Sequence, residues 1–187
     1  CSFAVFGRRE EQGVKTNPVI EGILGRRSVR AFKERAIPRE DLEAIVACGQ
    51  WAPSARNRQE WAFVVVDSRA RIARLAEAMR RALGLDAYDM YAPQSIVIVA
   101  HAKGAEFGRE DDGCALENMF LAAHSLGIGS VWINQLQGIC DEPAVRDELD
   151  ALGVPTDAEV HGVCALGYAV APGAAHERKS AVVWVEE

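Results

Sequence analysis

The sequence predicts an α/β or α+β domain in which helices cover a single sheet. Short apolar runs rich in β-branched residues occur at 62–66, 95–100 and 130–133, and such runs are typical of buried strands. Segments with apolar residues at helical spacing alternate with these runs along the chain. The 187 residues contain no internal repeat and no low-complexity tract, which favours one domain of ordinary size.

Caps and periodicity predict helices at about 17–25, 38–50, 68–83, 111–126 and 141–152. Asn17 is a good N-cap and Pro18 suits the first helical position. Pro38 opens the second helix, whose first turn carries Glu40 and Asp41, where the helix dipole favours acidic groups.

The predicted strands also include 159–170, and a Gly/Pro/Ala linker at 171–175 separates them from a last β-like run at 181–185. The strands are few for so many helices, and the last run is too exposed to stand alone. We therefore expect a second chain to complete the structure. Residues 1–16 show no clear period, so we interpret them as an N-terminal extension or arm, and residues 17–187 as a single domain.

Composition excludes some classes of function. The net charge of -6 and pI of about 5.3 argue against general nucleic-acid binding, which requires a basic face. No apolar run reaches the length needed to cross a bilayer. An odd number of cysteines without a CxxC motif indicates reduced thiols and a cytoplasmic location. We expect Cys48, Cys114 and Cys164 to be core thiols, because their neighbours are apolar.

A basic cluster, residues 26–30 (Arg-Arg-Ser-Val-Arg), is the most distinctive stretch of the chain. Its three guanidinium groups and one hydroxyl suit phosphate oxygens, which arginine binds two at a time. The alternative is a solvated basic end of the first helix, since cations are favoured at helix C-termini.

A second distinctive stretch is the polar loop 52–61, which follows the second helix and precedes a buried strand. Its hydroxyl and amide groups, on Ser54, Asn57 and Gln59, can both donate and accept, as the edge of a heteroaromatic ring requires. Loops of this composition are also common as plain connectors.

Several motifs that carry chemistry are missing. The chain has no GxGxxG or phosphate-binding P-loop and no GxSxG motif, and its four histidines are scattered, so we expect no metal site. The acidic residues 110–112 lie at a helix start, where carboxylates are favoured anyway. Nothing requires a nucleophilic side chain or an acid/base pair, so an enzymatic reaction here would depend on a cofactor.

Four segments, taken together and in order, resemble the FMN-dependent nitroreductase family. They are 26–49, which begins with the basic cluster; 51–61, the polar loop; 115–133, a long helix leading through Leu-Gly-Ile-Gly into a strand; and 166–168 with 178–179. Each segment is modest alone, but the ordered set is specific, and it spans the chain from about residue 17 to residue 179.

The resemblance implies an α+β fold with a central, mainly antiparallel sheet flanked by helices, in an intertwined homodimer with a partner-embracing C-terminal tail. It implies FMN at the subunit interface. It places Arg26, Arg27, Ser28 and Arg178 near the phosphate end and Arg30 near N1/O2 of the flavin ring. It further implies cofactor contacts from Pro53, Ser54, Ala55, Asn57 and Gln59 of the other subunit, and from Ile133, Asn134 and Gln135 along the ring edge.

The implied activity is reduction of nitroaromatics, quinones or similar flat acceptors by NADPH or NADH, with no catalytic side chain named. Alanine at 55, glutamate at 60 and asparagine at 134 depart from the residues common in the family. Three alternatives stay open: a dehalogenating or flavin-fragmenting branch of the same fold, an FMN storage module, and a phosphate-binding protein without cofactor.

Overall fold

A computed structural model describes residues 15–175 and 177–186 and contains one antiparallel sheet of four strands in the order β1-β2-β4-β3. The strands are β1 Trp61–Val66, β2 Ser95–Ala102, β3 Gly129–Ile133 and β4 Ala158–Gly167. The helices are α1 Pro18–Gly25, α2 Arg39–Gln50, α3 Arg69–Ala82, α4 Gly108–Ser125 and α5 Pro143–Ala151, with a short 3-10 turn at Ala55–Asn57.

The central strand β2 separates two hydrophobic cores, because successive side chains of a strand point to opposite faces. Ile96 and Ile98 lie in the core covered by α3 and α5, whereas Val97 and Val99 lie in the core covered by α2 and α4. All four side chains are fully buried. The sheet is therefore the middle layer of three.

Helix α4 packs closely on the sheet because β4 carries Gly162 beneath it. A Cβ atom at this position would lie 2.5 Å from Leu116 Cδ1 and 2.6 Å from Trp132 Nε1. Such distances are too short for real contacts, so only glycine allows the helix and the β3 tryptophan to meet here. The position of α4 on the sheet is thereby fixed.

The segment 26–33 links α1 to the sheet. Ser28 pairs with Ser130 of β3 in a parallel bridge, and Phe32 pairs with Ala169 in an antiparallel bridge. The Val29 N–H donates to the Ser130 carbonyl oxygen at 2.9 Å. The basic cluster is therefore held along the outer edge of β3.

Most predicted elements are present within a few residues of their predicted bounds. Helix α4 begins at Gly108, before the predicted start at 111, and β4 ends at Gly167, before the predicted end at 170. The strand ends early because Tyr168 and Ala169 pair with the 26–33 segment instead.

One expectation is not tested by the single chain, and another is wrong. The run 181–185 forms no strand in the structure, and Trp184 and Val185 are 82% and 94% exposed. Apolar residues form a strand only beside a partner strand, and none of the described strands pairs with this run, so its pairing with a second chain stays a prediction. Cys48 and Cys114 are exposed, unlike the buried Cys164, because they lie on helix flanks that turn away from the sheet.

The N-terminal arm predicted at 1–16 lies outside the described residues, apart from the exposed Lys15 and Thr16. Within the described part of the chain, no helix combines the length and hydropathy needed to cross a bilayer.

Candidate functional site

The first half of the basic cluster caps the C-terminal end of α1. Arg27 Nη1 donates to the carbonyl oxygens of Leu24 and Arg26, at 2.6 and 2.8 Å. These carbonyls lie at the end of the helix, where arginine is favoured. The Nη1 group of Arg27 thus acts as a basic group at the helix end, as the alternative interpretation predicts. The other N–H donors of its guanidinium group make no hydrogen bond to these carbonyls.

Arg26 packs against α4. Its Nε lies 3.4 Å from Glu117 Oε1, and its guanidinium carbon lies 5.8 Å from the ring centroid of Phe120. The Nε atom is buried and has no hydrogen-bond partner among the described residues. Glu117 and the Phe120 ring therefore partly compensate the guanidinium charge, while the other N–H groups of Arg26 are able to donate to a further acceptor.

The second half of the cluster runs alongside β3. Since the Ser28–Ser130 bridge is parallel, the chain from Ser28 to Arg30 advances in the same direction as β3. Ser28 therefore lies near the start of the strand, and Arg30 lies between Val29 and Phe32, which pack against the paired glycines Gly129 and Gly167 at that same end. Arg30 is exposed, and its guanidinium carbon lies 5.9 Å from the ring centroid of Tyr91.

The segment after β4 returns to the basic cluster. A Cβ atom at Gly173 would lie 2.5 Å from Arg27 Cβ and 3.0 Å from the Ser28 carbonyl oxygen, so glycine permits this close approach. Arg178 lies a few residues further on and is exposed. Within residues 15–175 and 177–186, no hydrogen bond or ion pair joins Arg178 to the cluster, so its predicted place at the phosphate end stays a prediction.

The residues after β3 offer polar groups at the far end of the strand. Ile133 is fully buried, whereas Asn134 and Gln135 are exposed. The Asn134 N–H donates to the side-chain oxygen of Gln135 at 3.1 Å. The Asn134 N–H is therefore bonded to an exposed side chain, and rotation of the Gln135 side chain would leave this N–H free to donate elsewhere.

The polar loop is shaped by hydrogen bonds within it. Ser54 Oγ accepts from the Gln59 N–H at 3.1 Å, and Gln59 Nε2 donates to Asn57 Oδ1 at 2.9 Å. Arg56, Asn57 and Gln59 all have left-handed backbone conformations, with φ of 54°, 55° and 52°. Such conformations are unfavourable for residues other than glycine and concentrate at functional sites. The exposed Pro53 precedes this shaped segment.

The polar loop is anchored to the start of α4. The Ala55 N–H donates to Asp111 Oδ1 at 2.9 Å, and Asp111 is 8% exposed. The basic cluster instead meets α4 at Glu117 and Phe120. Six to nine residues of helix correspond to about 9–14 Å. In one chain, the basic cluster contacts the start of β3 and the middle of α4, whereas the polar loop lies near the start of α4.

An apolar cleft of about 530 Å³ lies between α1, α2 and α4. Its lining includes Val19, Cys48, Trp51, Leu121 and Ala122. Trp51 is 88% exposed and Val19 is 68% exposed. Exposed apolar surface of this kind marks interaction sites.

A buried ionisable pair was not predicted. His101 Nδ1 of β2 lies 2.6 Å from Asp112 Oδ1 of α4, and both side chains are almost completely buried. Burial raises the pKa of the Asp112 carboxyl group, while the hydrogen bond from His101 opposes this shift. The pair joins the central strand to the central helix. In the sequence, only the acidic run 110–112 pointed to this pair. Acidic residues are favoured at a helix start in any case, so the run did not indicate a buried partner.

The described residues contain no cluster of three or more His, Cys, Asp or Glu side chains arranged to hold a metal ion.

Comparison with known proteins agrees with this arrangement. The sequence profile of the nitroreductase family matches residues 23–86 and 84–168. An Archaeoglobus fulgidus protein provisionally named NADH dehydrogenase/NAD(P)H nitroreductase is 35% identical over 150 residues, covering 78% of this chain and 82% of that protein. A Bacteroides fragilis nitroreductase with bound FMN is 39% identical, with a TM-score of 0.83 over 91% of this chain and 100% of that chain. This chain belongs to the nitroreductase family.

The family resemblance and the α+β fold with an antiparallel sheet are thus confirmed. A shorter similarity involves the iodotyrosine deiodinase of Haliscomenobacter hydrossis, which is 47% identical over 55 residues, or 28% of this chain and 25% of that protein.

The anchor of the polar loop provides a test of its rigidity. Replacing Asp111 with alanine leaves the Ala55 N–H without its acceptor and should lower the free energy of unfolding by about 1–3 kcal/mol. It should also accelerate proteolysis between residues 53 and 59. Urea denaturation and limited proteolysis measure the two effects. Glu110→Ala, an exposed position in the same helical turn, is the matched control. Equal behaviour of the two variants would contradict the anchoring role.

Proposed function

We propose that this protein is an FMN-dependent NAD(P)H oxidoreductase that reduces nitroaromatics, quinones or similar flat acceptors. The observation that carries the proposal is the parallel pairing of the basic cluster with β3. This pairing aligns Ser28 with the start of the strand and runs the cluster in the same direction as β3, whose end leads into residues 133–135. FMN has a similar linear order, with its phosphate group at one end, its flavin ring at the other and a ribityl chain between them.

The residues at the phosphate end fit FMN. The terminal N–H groups of Arg26, the remaining donors of Arg27 and the exposed hydroxyl of Ser28 form a donor set suited to a phosphate dianion. Arg178 would add a fourth group from the tail. The binding of FMN by the Bacteroides fragilis relative supports the same cofactor here.

The residues at the ring end fit a flavin edge. The backbone N–H groups of 133–135 would face N5 and O4, and rotation of the Gln135 side chain would free the Asn134 N–H for this purpose. Arg30 would lie at N1/O2, where negative charge develops on reduction.

Bound FMN would supply hydride transfer at N5, from NADH or NADPH and onward to the acceptor. Arg30 would stabilise the developing negative charge as a preorganised donor. The polar loop would hold the nicotinamide and the acceptor in turn against the ring, so that orientation replaces a catalytic side chain. We therefore assign no acid, base or nucleophile.

A homodimer would supply the missing half of the site. Since the polar loop lies about 9–14 Å along α4 from the basic cluster in one chain, Pro53, Ser54, Ala55, Asn57 and Gln59 would contact the cofactor of the partner subunit. The apolar cleft between α1, α2 and α4 and the exposed apolar run 181–185 give the two chains surfaces to bury. Residues 17–187 would form one domain within this dimer.

We also propose a cytoplasmic location. The cysteines of the described residues, Cys48, Cys114, Cys140 and Cys164, are free thiols, which suits a reducing compartment.

A visible absorption spectrum of the purified protein tests the proposal, recorded before and after anaerobic addition of NADPH or NADH. We expect a flavin spectrum that one or both donors bleach and that an added quinone restores. A colourless protein that cannot be loaded with FMN would refute the cofactor, and a flavin that neither donor bleaches would refute the NAD(P)H activity.

Replacing Arg30 with alanine should slow flavin reduction roughly 10²-fold, because a donor facing the developing charge is lost. FMN binding should weaken far less, since the phosphate-end residues are intact. Stopped-flow absorbance and FMN titration separate the two effects. Arg39→Ala, which removes an exposed arginine of α2, is the control. Wild-type reduction rates in the FMN-loaded Arg30→Ala variant would show that the assigned role is wrong.

Replacing Trp51 with lysine should weaken the dimer by at least tenfold in dissociation constant, because it places a charge in the apolar cleft. Sedimentation velocity measures the change. Leu85→Lys, at a position that is 40% exposed and outside the cleft, should leave the dimer intact. A Trp51→Lys variant that is as dimeric as the wild type would exclude the cleft from the interface.

A second candidate function is reductive dehalogenation of a halogenated phenol, favoured only by the local match to iodotyrosine deiodinase. Iodide release from 3-iodotyrosine by the chemically reduced protein would support it. Turnover of a quinone without iodide release would support the first proposal.

A further inference from the structure

The loop before β2 contains an unusual left-handed turn. Met90, Tyr91 and Ala92 have φ of 53°, 68° and 46°, and none of them is glycine. L-residues with side chains adopt this conformation singly and rarely, so three in succession must be imposed by the surroundings. Conformations of this kind persist at sites where they orient a functional group.

The surroundings that impose the turn can be identified. Asp89 Oδ1 accepts a hydrogen bond from the Tyr91 N–H at 2.8 Å, and the Asp89 carbonyl oxygen accepts one from the Ala92 N–H at 2.9 Å. Met90 is fully buried in the core beneath α3. The Gln94 N–H donates to the Leu166 carbonyl oxygen at 2.9 Å, which fixes the exit of the turn.

The turn directs the Tyr91 side chain outward while its neighbour Met90 points inward. Tyr91 is 37% exposed, and its ring centroid lies 5.9 Å from the guanidinium carbon of Arg30. This distance is within the range of a cation–π contact. Among the described residues, Arg30 makes no hydrogen bond and no ion pair, so the Tyr91 ring is the contact that restrains it.

We propose that Tyr91 is a positioning residue that holds Arg30 at the ring end of the flavin site. The inference rests on the proposed function, because Arg30 acts there on a bound flavin. An exposed arginine has many rotamers, and it loses most of this conformational entropy when it binds a charged group. A ring that already lies against the guanidinium group reduces this loss and leaves the edge N–H donors free. Arg30 is then preorganised before the cofactor is reduced.

The test uses variants with and without the ring. Tyr91→Asn removes the ring and suits the left-handed backbone, because asparagine tolerates this conformation. Tyr91→Phe keeps the ring and should rescue the wild-type properties. The readouts are the FMN dissociation constant, the midpoint potential of the bound flavin and the rate of its reduction by NAD(P)H.

In Tyr91→Asn, the ratio of the affinity for reduced FMN to the affinity for oxidised FMN should be three- to tenfold lower than in the wild type. For a two-electron couple this corresponds to a fall in midpoint potential of about 15–30 mV. The FMN dissociation constant should change less than the potential does, because the phosphate end is untouched.

A double-mutant cycle isolates the action of Tyr91 through Arg30. In the Arg30→Ala background, Tyr91→Asn should cause no further fall in potential or reduction rate. Additive effects of the two substitutions, or a wild-type potential in Tyr91→Asn alone, would overturn the proposal. If Tyr91→Asn does not fold, Tyr91→Gly provides the same comparison, because glycine also removes the ring and adopts the left-handed conformation freely.

The two levels of inference fail in different ways. A wild-type protein that cannot bind FMN refutes the proposed function, and the role of Tyr91 with it. A wild-type protein that binds FMN and is reduced by NAD(P)H, but shows no change of potential on loss of the Tyr91 ring, refutes the positioning role alone.

Discussion

The pairing of the 26–33 segment with β3 is the constraint on which the site depends. Two glycines make this pairing possible. A Cβ atom at Gly129 would lie 2.8 Å from Val29 Cγ2, and one at Gly167 would lie 2.7 Å from Phe32 Cδ1. Because neither position carries a side chain, the segment lies directly against β3 and the end of β4. A flexible basic stretch thereby becomes a set of donors with a fixed direction.

The second constraint is the length of α4. Gly162 holds the middle of this helix close to the sheet, and the buried His101–Asp112 pair holds its start to β2. The polar loop, attached through Asp111, cannot approach the basic cluster without detaching from the helix. In the proposed dimer, a site that uses both features would take the basic cluster from one chain and the polar loop from the other. Under this proposal, cofactor affinity and dimer stability are linked, since FMN would bind the dimer in preference to the single chain.

Among the described residues, every non-glycine residue with a positive φ lies in one of two loops, 56–59 or 90–92. Each is held by a nearby aspartate, Asp111 for the first and Asp89 for the second. In both cases a carboxylate accepts a backbone N–H and stabilises a conformation that the local sequence disfavours. The two loops differ in what they present, which is an array of amides in the first and an aromatic ring in the second.

The sequence by itself determined most of the secondary structure and the fold class, and it predicted the chemical character of the candidate site. Caps such as Asn17 and the β-branched runs act over a few residues, so local rules predict them. The ordered segments that begin at Arg26 identified the nitroreductase family, because their residue types are tied to positions in one fold. The sequence also indicated that the run 181–185 is too exposed to stand alone, and in the described part of the chain this run is exposed and forms no strand.

Only the tertiary structure decided which groups meet. The contact between Tyr91 and Arg30, the hydrogen bond from Ala55 to Asp111 and the burial of Asp112 beside His101 each join residues from separate elements. The exposure of Cys48 likewise depends on which flank of α2 turns from the sheet. These features follow from how the helices pack on the sheet, and packing depends on distant residues such as Gly162 that carry no local signal.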